Sequence, residues 1–255
     1  MPVDLITGFV IFATHLLEGI TGFGSTVLAL PFLEPFISIK FAVKLLGILG
    51  FTMSLYLIFR SWRHIVWREF AFIALWLTAG LPIGMVCLQY LPEQALCTAL
   101  GLFMVVVGCR GEYNTLKNRL PRTDTTAKRS GWMRLLLFCG GVIQGAFGSA
   151  GPFVVIYAAR ALQDKTLFRV TLSLVWLTTN SLRLITWSVQ DLVYHGDNIW
   201  TPAMGRALLW SMPFMILGVV IGDFLHHRVS QRLFKIGVYA ILVISGLLMI
   251  GNAIG

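Results

Sequence analysis

From Phe70 to Leu91 the chain runs 22 residues without a charged side chain, and it does so again from Gln94 to Gly108; Ala207–Leu225 carries only Asp223. Apolar stretches of about 20 residues match the hydrocarbon thickness of a bilayer. A surface helix of a soluble bundle would show a polar stripe, and these segments have none. Composition agrees: 57% of the 255 residues are hydrophobic and 12% are charged, against about 25% charged in a soluble domain. The reading is an all-α polytopic membrane protein. The opening MPVDLITGFV lacks the basic n-region of a cleaved signal peptide, so the first apolar segment is expected to stay in the mature protein.

The net charge of +9 would also suit a nucleic-acid binder. In a membrane protein, however, Lys and Arg collect in cytoplasmic loops and meet anionic lipid there. No aromatic–basic module of the kind that reads bases is present, so the lipid bilayer, and no nucleic acid, is the expected partner. Cys87, Cys97, Cys109 and Cys139 form no CxxC pair and read as small buried hydrophobes. His226-His227 has no companion ligands. There is no HExxH, GxSxG or P-loop, so neither an enzyme nor a cofactor or metal is expected.

The chain repeats itself. Gly19-Ile20-Thr21-Gly22-Phe23-Gly24-Ser25 is answered 126 residues later by Gly145-Ala146-Phe147-Gly148-Ser149-Ala150-Gly151. Gly80-Leu81-Pro82-Ile83-Gly84 is answered 138 residues later by Gly218-Val219-Val220-Ile221-Gly222, and Gly108 by Gly246 at the same spacing. An insertion near Asp191–Pro202 accounts for the difference. The chain divides into a first repeat (1–109), a basic linker (110–131) expected in the cytoplasm, and a second repeat (132–255). The Gly80/Gly84 and Gly218/Gly222 pairs read as helix-packing notches.

Leu5–Ile37 is 33 residues long, about 50 Å as one straight helix, and Trp132–Leu162 poses the same problem. Each either crosses once as a tilted helix or turns back at its glycines. If both cross, the basic residues divide 11 to 8 between the two faces. If both turn back, they divide 16 to 3 with Arg183 inside the membrane. The positive-inside rule favours the second arrangement. Each repeat is then a re-entrant or broken helix pair plus three crossings. An odd number of crossings inverts one copy against the other, with both termini outside.

The run Glu18-Gly19-Ile20-Thr21-Gly22-Phe23-Gly24-Ser25-Thr26-Val27-Leu28-Ala29-Leu30-Pro31 resembles the opening motif of the sulfite exporter TauE/SafE family, and Gly141–Phe153 is similar to its second-repeat motif. Here Ser149, Ala150 and Pro152 stand where more glycines are common. The resemblance covers nearly the whole chain. It implies a bacterial-type permease of the cytoplasmic (inner) membrane for sulfite, an organosulfonate, or a related sulfur-containing or carboxylate anion.

A helix that starts at mid-membrane aims unpaired N–H groups and a positive dipole end into the protein, which is a ready anion site. Gly22, Gly24, Ser25 and Thr26 fit this role in the first copy, and Gly148, Ser149, Ala150 and Gly151 in the second. The blander reading is that these glycines only permit tight packing. Polar groups inside apolar segments mark pathways. Gln144 precedes the second turn and is placed to donate to an oxyanion. Asn180 and Arg183 share a helix face, where Arg183 either balances substrate charge or snorkels outward. Glu18, one turn after His15, either takes up a proton that drives transport or is a neutral group bonded to backbone. Lys44 is placed near the outer mouth. The function expected is a proton-coupled secondary transporter of a small anion; a passive channel or uptake facilitator on the same fold is the alternative. A homodimer is left open.

Overall fold

Glycine breaks the first helix of each half, at Gly22 and Gly148. A computed structural model describes residues 2–116, 130–162, 164–194 and 199–225, with helical pieces at 239–240, 243–244, 246–247 and 250–251. The elements are α1 (Pro2–Thr21), α2 (Ser25–Leu33), α3 (Ile39–Ser61), a 3-10 turn (Trp62–His64), α4 (Trp67–Tyr90), α5 (Glu93–Leu116), α6 (Gly131–Phe147), α7 (Gly151–Ala161), α8 (Lys165–Tyr194) and α9 (Pro202–Leu225). No strand occurs among the described residues, and the all-α reading holds. Ile39–His64, Trp67–Tyr90, Gln94–Tyr113 and Pro202–Leu225 are each long and apolar enough to cross a bilayer. Helix α5 continues past Arg110 to Leu116. Residues 117–129 of the linker, 195–198 of the polar loop, and 226–238 with His226-His227 lie outside the described residues.

The small-residue pairs set the helix packing. A Cβ on Gly80 would meet the Phe138 carbonyl, and one on Gly84 the Val142 carbonyl. Gly141 and Gly145 of α6 abut the Leu77 and Leu81 carbonyls in return. The same lock recurs between α1 and α9, where Gly218 faces the Phe12 carbonyl and Gly222 the Leu16 carbonyl. Phe12 and Phe138 are 126 residues apart, as are Leu16 and Val142. The fourth helix of each half therefore packs on the first helix of the other half, at equivalent positions. With no side chain in the way, the backbones approach closely enough for dispersion and Cα–H···O contacts, which drive helix association where water cannot.

These contacts also give directions. Rising numbers in α4 meet rising numbers in α6, so the two run parallel; α1 and α9 do the same. Helices α3 and α8 run antiparallel, with Gly47 against Arg183 and Trp187, and Gly50 against Asn180. Gly108 abuts the Tyr239 carbonyl and Val243, while Gly246 abuts the Gly101 carbonyl and Val105. Helix α5 therefore runs antiparallel to the 239–251 pieces. The partners again correspond, because 239 and 243 lie 138 beyond 101 and 105.

Two faces follow. On one, Lys40 at the start of α3 donates to the Gln89 carbonyl at the end of α4 (3.1 Å), beside Gln190 near the end of α8. Asp191 caps the return into α9 through the N–H groups of Ile199 (2.9 Å) and Trp200 (3.2 Å). On the other, the Val66 N–H donates to Thr171 Oγ1 (3.1 Å), joining the start of α4 to the start of α8. Helix α5 ends and α6 begins on this second side, called here the linker face. Helix α6 enters from the linker face, parallel to α4. Helix α7 goes back to it: the Tyr157 hydroxyl donates to Glu69 in the first turn of α4 (2.6 Å), and its ring stacks on Phe72. The α6–α7 pair is thus a hairpin that enters and leaves by one face. Helix α1 enters from the opposite face beside the start of α9, and α2 returns there, where α3 begins. The two hairpin tips meet, with Phe23 lying against Gly151.

Candidate functional site

Both tips are built on left-handed backbone. Gly22, Gly24 and Gly148 have φ of 83°, 104° and 73°, a region that costs an L-residue about 1–2 kcal/mol. Gly24 is the N-cap of α2. Gly148 closes α6 by donating its N–H to the Gln144 carbonyl (2.9 Å). The chain then reverses, and a new helix starts after three intervening residues.

Each reversal is braced by the side chain at one equivalent position. Glu18 and Gln144 are 126 residues apart. The Glu18 carboxyl accepts from the hydroxyl and the N–H of Ser25 at the start of α2. Gln144 Oε1 accepts from the Ala150 N–H (2.7 Å), while its Nε2 donates to Thr179 Oγ1 (3.1 Å). Gln144, expected from sequence to donate to an oxyanion, braces the second tip and lines the cleft; its Nε2 carries a second N–H besides the one given to Thr179. Glu18 keeps one oxygen, Oε2, without a hydrogen-bond partner.

A cleft of about 310 Å³ lies between the tips, lined by Glu18, Gly24, Thr26, Gly50, Gln144, Gly148, Ser149, Gly151, Trp176 and Asn180. Helix α2 points its first N–H groups and the Thr26 hydroxyl here, and α7 starts at Gly151 beside the Ser149 hydroxyl.

Four residues named from the sequence stand one layer behind this surface. Gly22 packs against Arg169, and its carbonyl accepts from Trp176 Nε1 (3.1 Å). Ser25 is committed to Glu18. His15 is fully buried; Nδ1 lies 2.8 Å from the Ile11 carbonyl, and Nε2 has no partner. Arg183 is also fully buried, with 0% exposure, so it does not snorkel to an interface. It sits against Gly148, with Nη1 donating to Asn180 Oδ1 (3.3 Å) and its guanidinium 4.6 Å from the Trp187 ring centroid. Its Nε and Nη2 have no hydrogen-bond partner among the described residues. The C-terminal end of α6 lies beside it, where helix carbonyls favour a cation.

Gly50 and Trp176 were not singled out from the sequence. Gly50 had a signal: a glycine inside an apolar helix lets a neighbour approach, and here that neighbour is Asn180. Trp176 had none, since a tryptophan in an apolar segment looks like any other. Lys44 is half-buried on α3 and feels the charge of Asp191 on the face opposite the linker, outside the cleft lining.

Comparison with known proteins gives a family and a relative. A family model described as "Sulfite exporter TauE/SafE" matches residues 7–249. A curated protein of Comamonas testosteroni, "Probable inner membrane transporter protein TsaS", is 23% identical over 191 residues, covering 73% of each chain. No solved structure matches.

Proposed function

The chain belongs to the sulfite exporter TauE/SafE family, a family of membrane transporters, and we propose that it is a proton-coupled secondary carrier that binds a small anion between its two hairpin tips. The observation that carries this reading is Arg183. A fully buried guanidinium that has, among the described residues, two unbonded nitrogens and no carboxylate on it is costly to keep. An anion in the adjacent cleft would supply the missing charge. Two half-helix N-termini and the hydroxyls of Thr26 and Ser149 add neutral donors. Sulfite, an organosulfonate or a small carboxylate suits such a site; the name of the Comamonas relative points to a transporter without stating a substrate.

Coupling falls to Glu18. It lines the same cleft and bonds to the helix start that would face the anion, so its protonation and substrate occupancy act on one group of N–H donors. His15, one turn back with an unpartnered Nε2, is the relay partner we assign to it.

The two halves are read as inverted repeats. Equivalent helices from two copies that pack antiparallel are related by an axis lying across them, in the membrane plane. Helices α3 and α8 do this, and so do α5 and the 239–251 pieces. Arg60, Arg63, Arg68, Arg134 and Arg169 lie toward the linker face, against Lys40, Lys44 and Arg206 toward the other. The linker face is therefore assigned to the cytoplasm and both termini to the outside of the inner membrane. Inverted repeats with broken helices meeting at mid-depth suit alternating access. A thermal-shift screen of purified protein against sulfite, thiosulfate, taurine, sulfoacetate and simple carboxylates tests the anion reading. Stabilisation by at least one anion is expected; stabilisation by none contradicts it.

A further inference from the structure

Positions 169, 173, 176, 180 and 183 fall on one face of α8, at steps of three and four. Trp176 and Asn180 line the cleft. The two arginines stand beyond them at opposite ends, 14 residues or about 21 Å apart. They have equivalent neighbours, for Arg169 lies against Gly22 as Arg183 lies against Gly148. Their partners differ. Among the described residues Arg183 has no acidic partner, whereas Arg169 Nη2 donates to Asp223 Oδ1 (2.5 Å) at the end of α9. The other oxygen of Asp223 is 3.3 Å from Arg60 Nε, on a side chain that is 65% exposed.

We propose that the Arg169–Asp223 pair is the closure of the cleft toward the linker face, and that it opens when a small oxyanion replaces Asp223 on the Arg169 guanidinium. The anion part rests on the substrate reading given above. A solute moving along α8 from Trp176 toward the linker face meets Arg169 two turns on. Arg169 gives Asp223 one contact, through Nη2, and a planar guanidinium can hold a sulfonate or carboxylate substrate at two points. Asp223 is not stranded by the exchange, because Arg60 already holds it. Release of Arg169 also frees the packing on Gly22, which links the closure to the first hairpin tip. The pair itself is not repeated at the equivalent positions of the other copy. At the repeat spacings of 126 and 138, the counterparts of Arg169 and Asp223 are Val43 and Met85, both packed in the apolar core.

The experiment uses Thr26→Cys in a background with the four native cysteines replaced, in oriented vesicles, labelled by an impermeant methanethiosulfonate from either face. Asp223→Asn is expected to raise labelling from the linker face several-fold and to leave labelling from the other face unchanged. The exchanged pair Arg169→Asp with Asp223→Arg is expected to restore slow labelling. Millimolar sulfoacetate on the linker side is expected to speed labelling with the native pair and to add nothing in Asp223→Asn. Unchanged labelling in Asp223→Asn, or a rise from both faces alike, overturns the closure. No effect of sulfoacetate on the native pair overturns the exchange. Labelling is read without transport, so the closure stands or falls separately from the carrier function.

Discussion

Glu18 and Gln144 hold the same place in the two halves of the chain, each bracing its own broken helix, and only Glu18 can carry a proton. Glu18 accepts from Ser25 and Gln144 accepts from Ala150. The pair sets an ionisable group in one tip against an amide in the other. An amide at position 18 would keep the brace and lose the proton.

Glu18→Gln is therefore expected to fold normally and to keep substrate exchange across the membrane, while transport driven by a proton gradient falls by about tenfold or more, a barrier change of about 1.4 kcal/mol or more. Counterflow and gradient-driven uptake in proteoliposomes separate the two. Equal loss of both would remove Glu18 from coupling and leave it a structural brace.

Arg183→Gln retains a donor for Asn180 and removes the buried charge. Without substrate, the melting temperature is expected to hold or rise, since an uncompensated buried ion is a cost. Substrate affinity is expected to fall by about 2 kcal/mol or more, roughly thirtyfold in Kd. Calorimetry on the substrate-free and substrate-bound protein reads both. A large drop in melting temperature with affinity retained would make Arg183 structural.

The tips were legible in the sequence because only glycine tolerates the φ of Gly24 and Gly148 without strain, so the need for them survives in the letters. The reciprocal notches were legible as notches, but not as partners: Gly84 carries no sign that it packs on Val142 and not on a helix of its own half. Arg183 shows the limit most clearly. Its position in an apolar segment fitted both a buried counter-charge and a snorkelling side chain, and the two differ only in where Gly47, Gly148 and Trp187 stand around it. Glu18 and Gln144 could be paired from the 126-residue offset, yet their hydrogen bonds depend on which way each tip folds back.

Gly84→Leu and Gly145→Leu each place a side chain on the backbone of the facing helix. Overpacking of this kind costs about 1–3 kcal/mol or more, so a lower melting temperature or loss of folded protein is expected. Gly205→Ala, with nothing within 4 Å of the new Cβ, is the control. It is expected to be neutral or slightly stabilising, by up to about 1 kcal/mol. Equal effects at all three positions would contradict the packing described.

The topology can be checked from the linker. A cysteine placed at Thr125 in a cysteine-free background is expected to resist an impermeant thiol reagent outside intact cells and to react once the membrane is opened. Rapid labelling in intact cells would reverse the assignment of faces.

The central claim is that the solute sits between the two hairpin tips. Its most direct test is saturable flux of the anion chosen by the thermal-shift screen, measured in proteoliposomes with the native protein and with Thr26→Val combined with Ser149→Ala. These two hydroxyls line the cleft from opposite halves of the chain and make no bond on which either tip depends. The account predicts saturable flux that drops by about tenfold or more in the double variant, equivalent to about 1.4 kcal/mol or more, with folding and melting temperature kept. Flux that is unchanged in a folded double variant would contradict it.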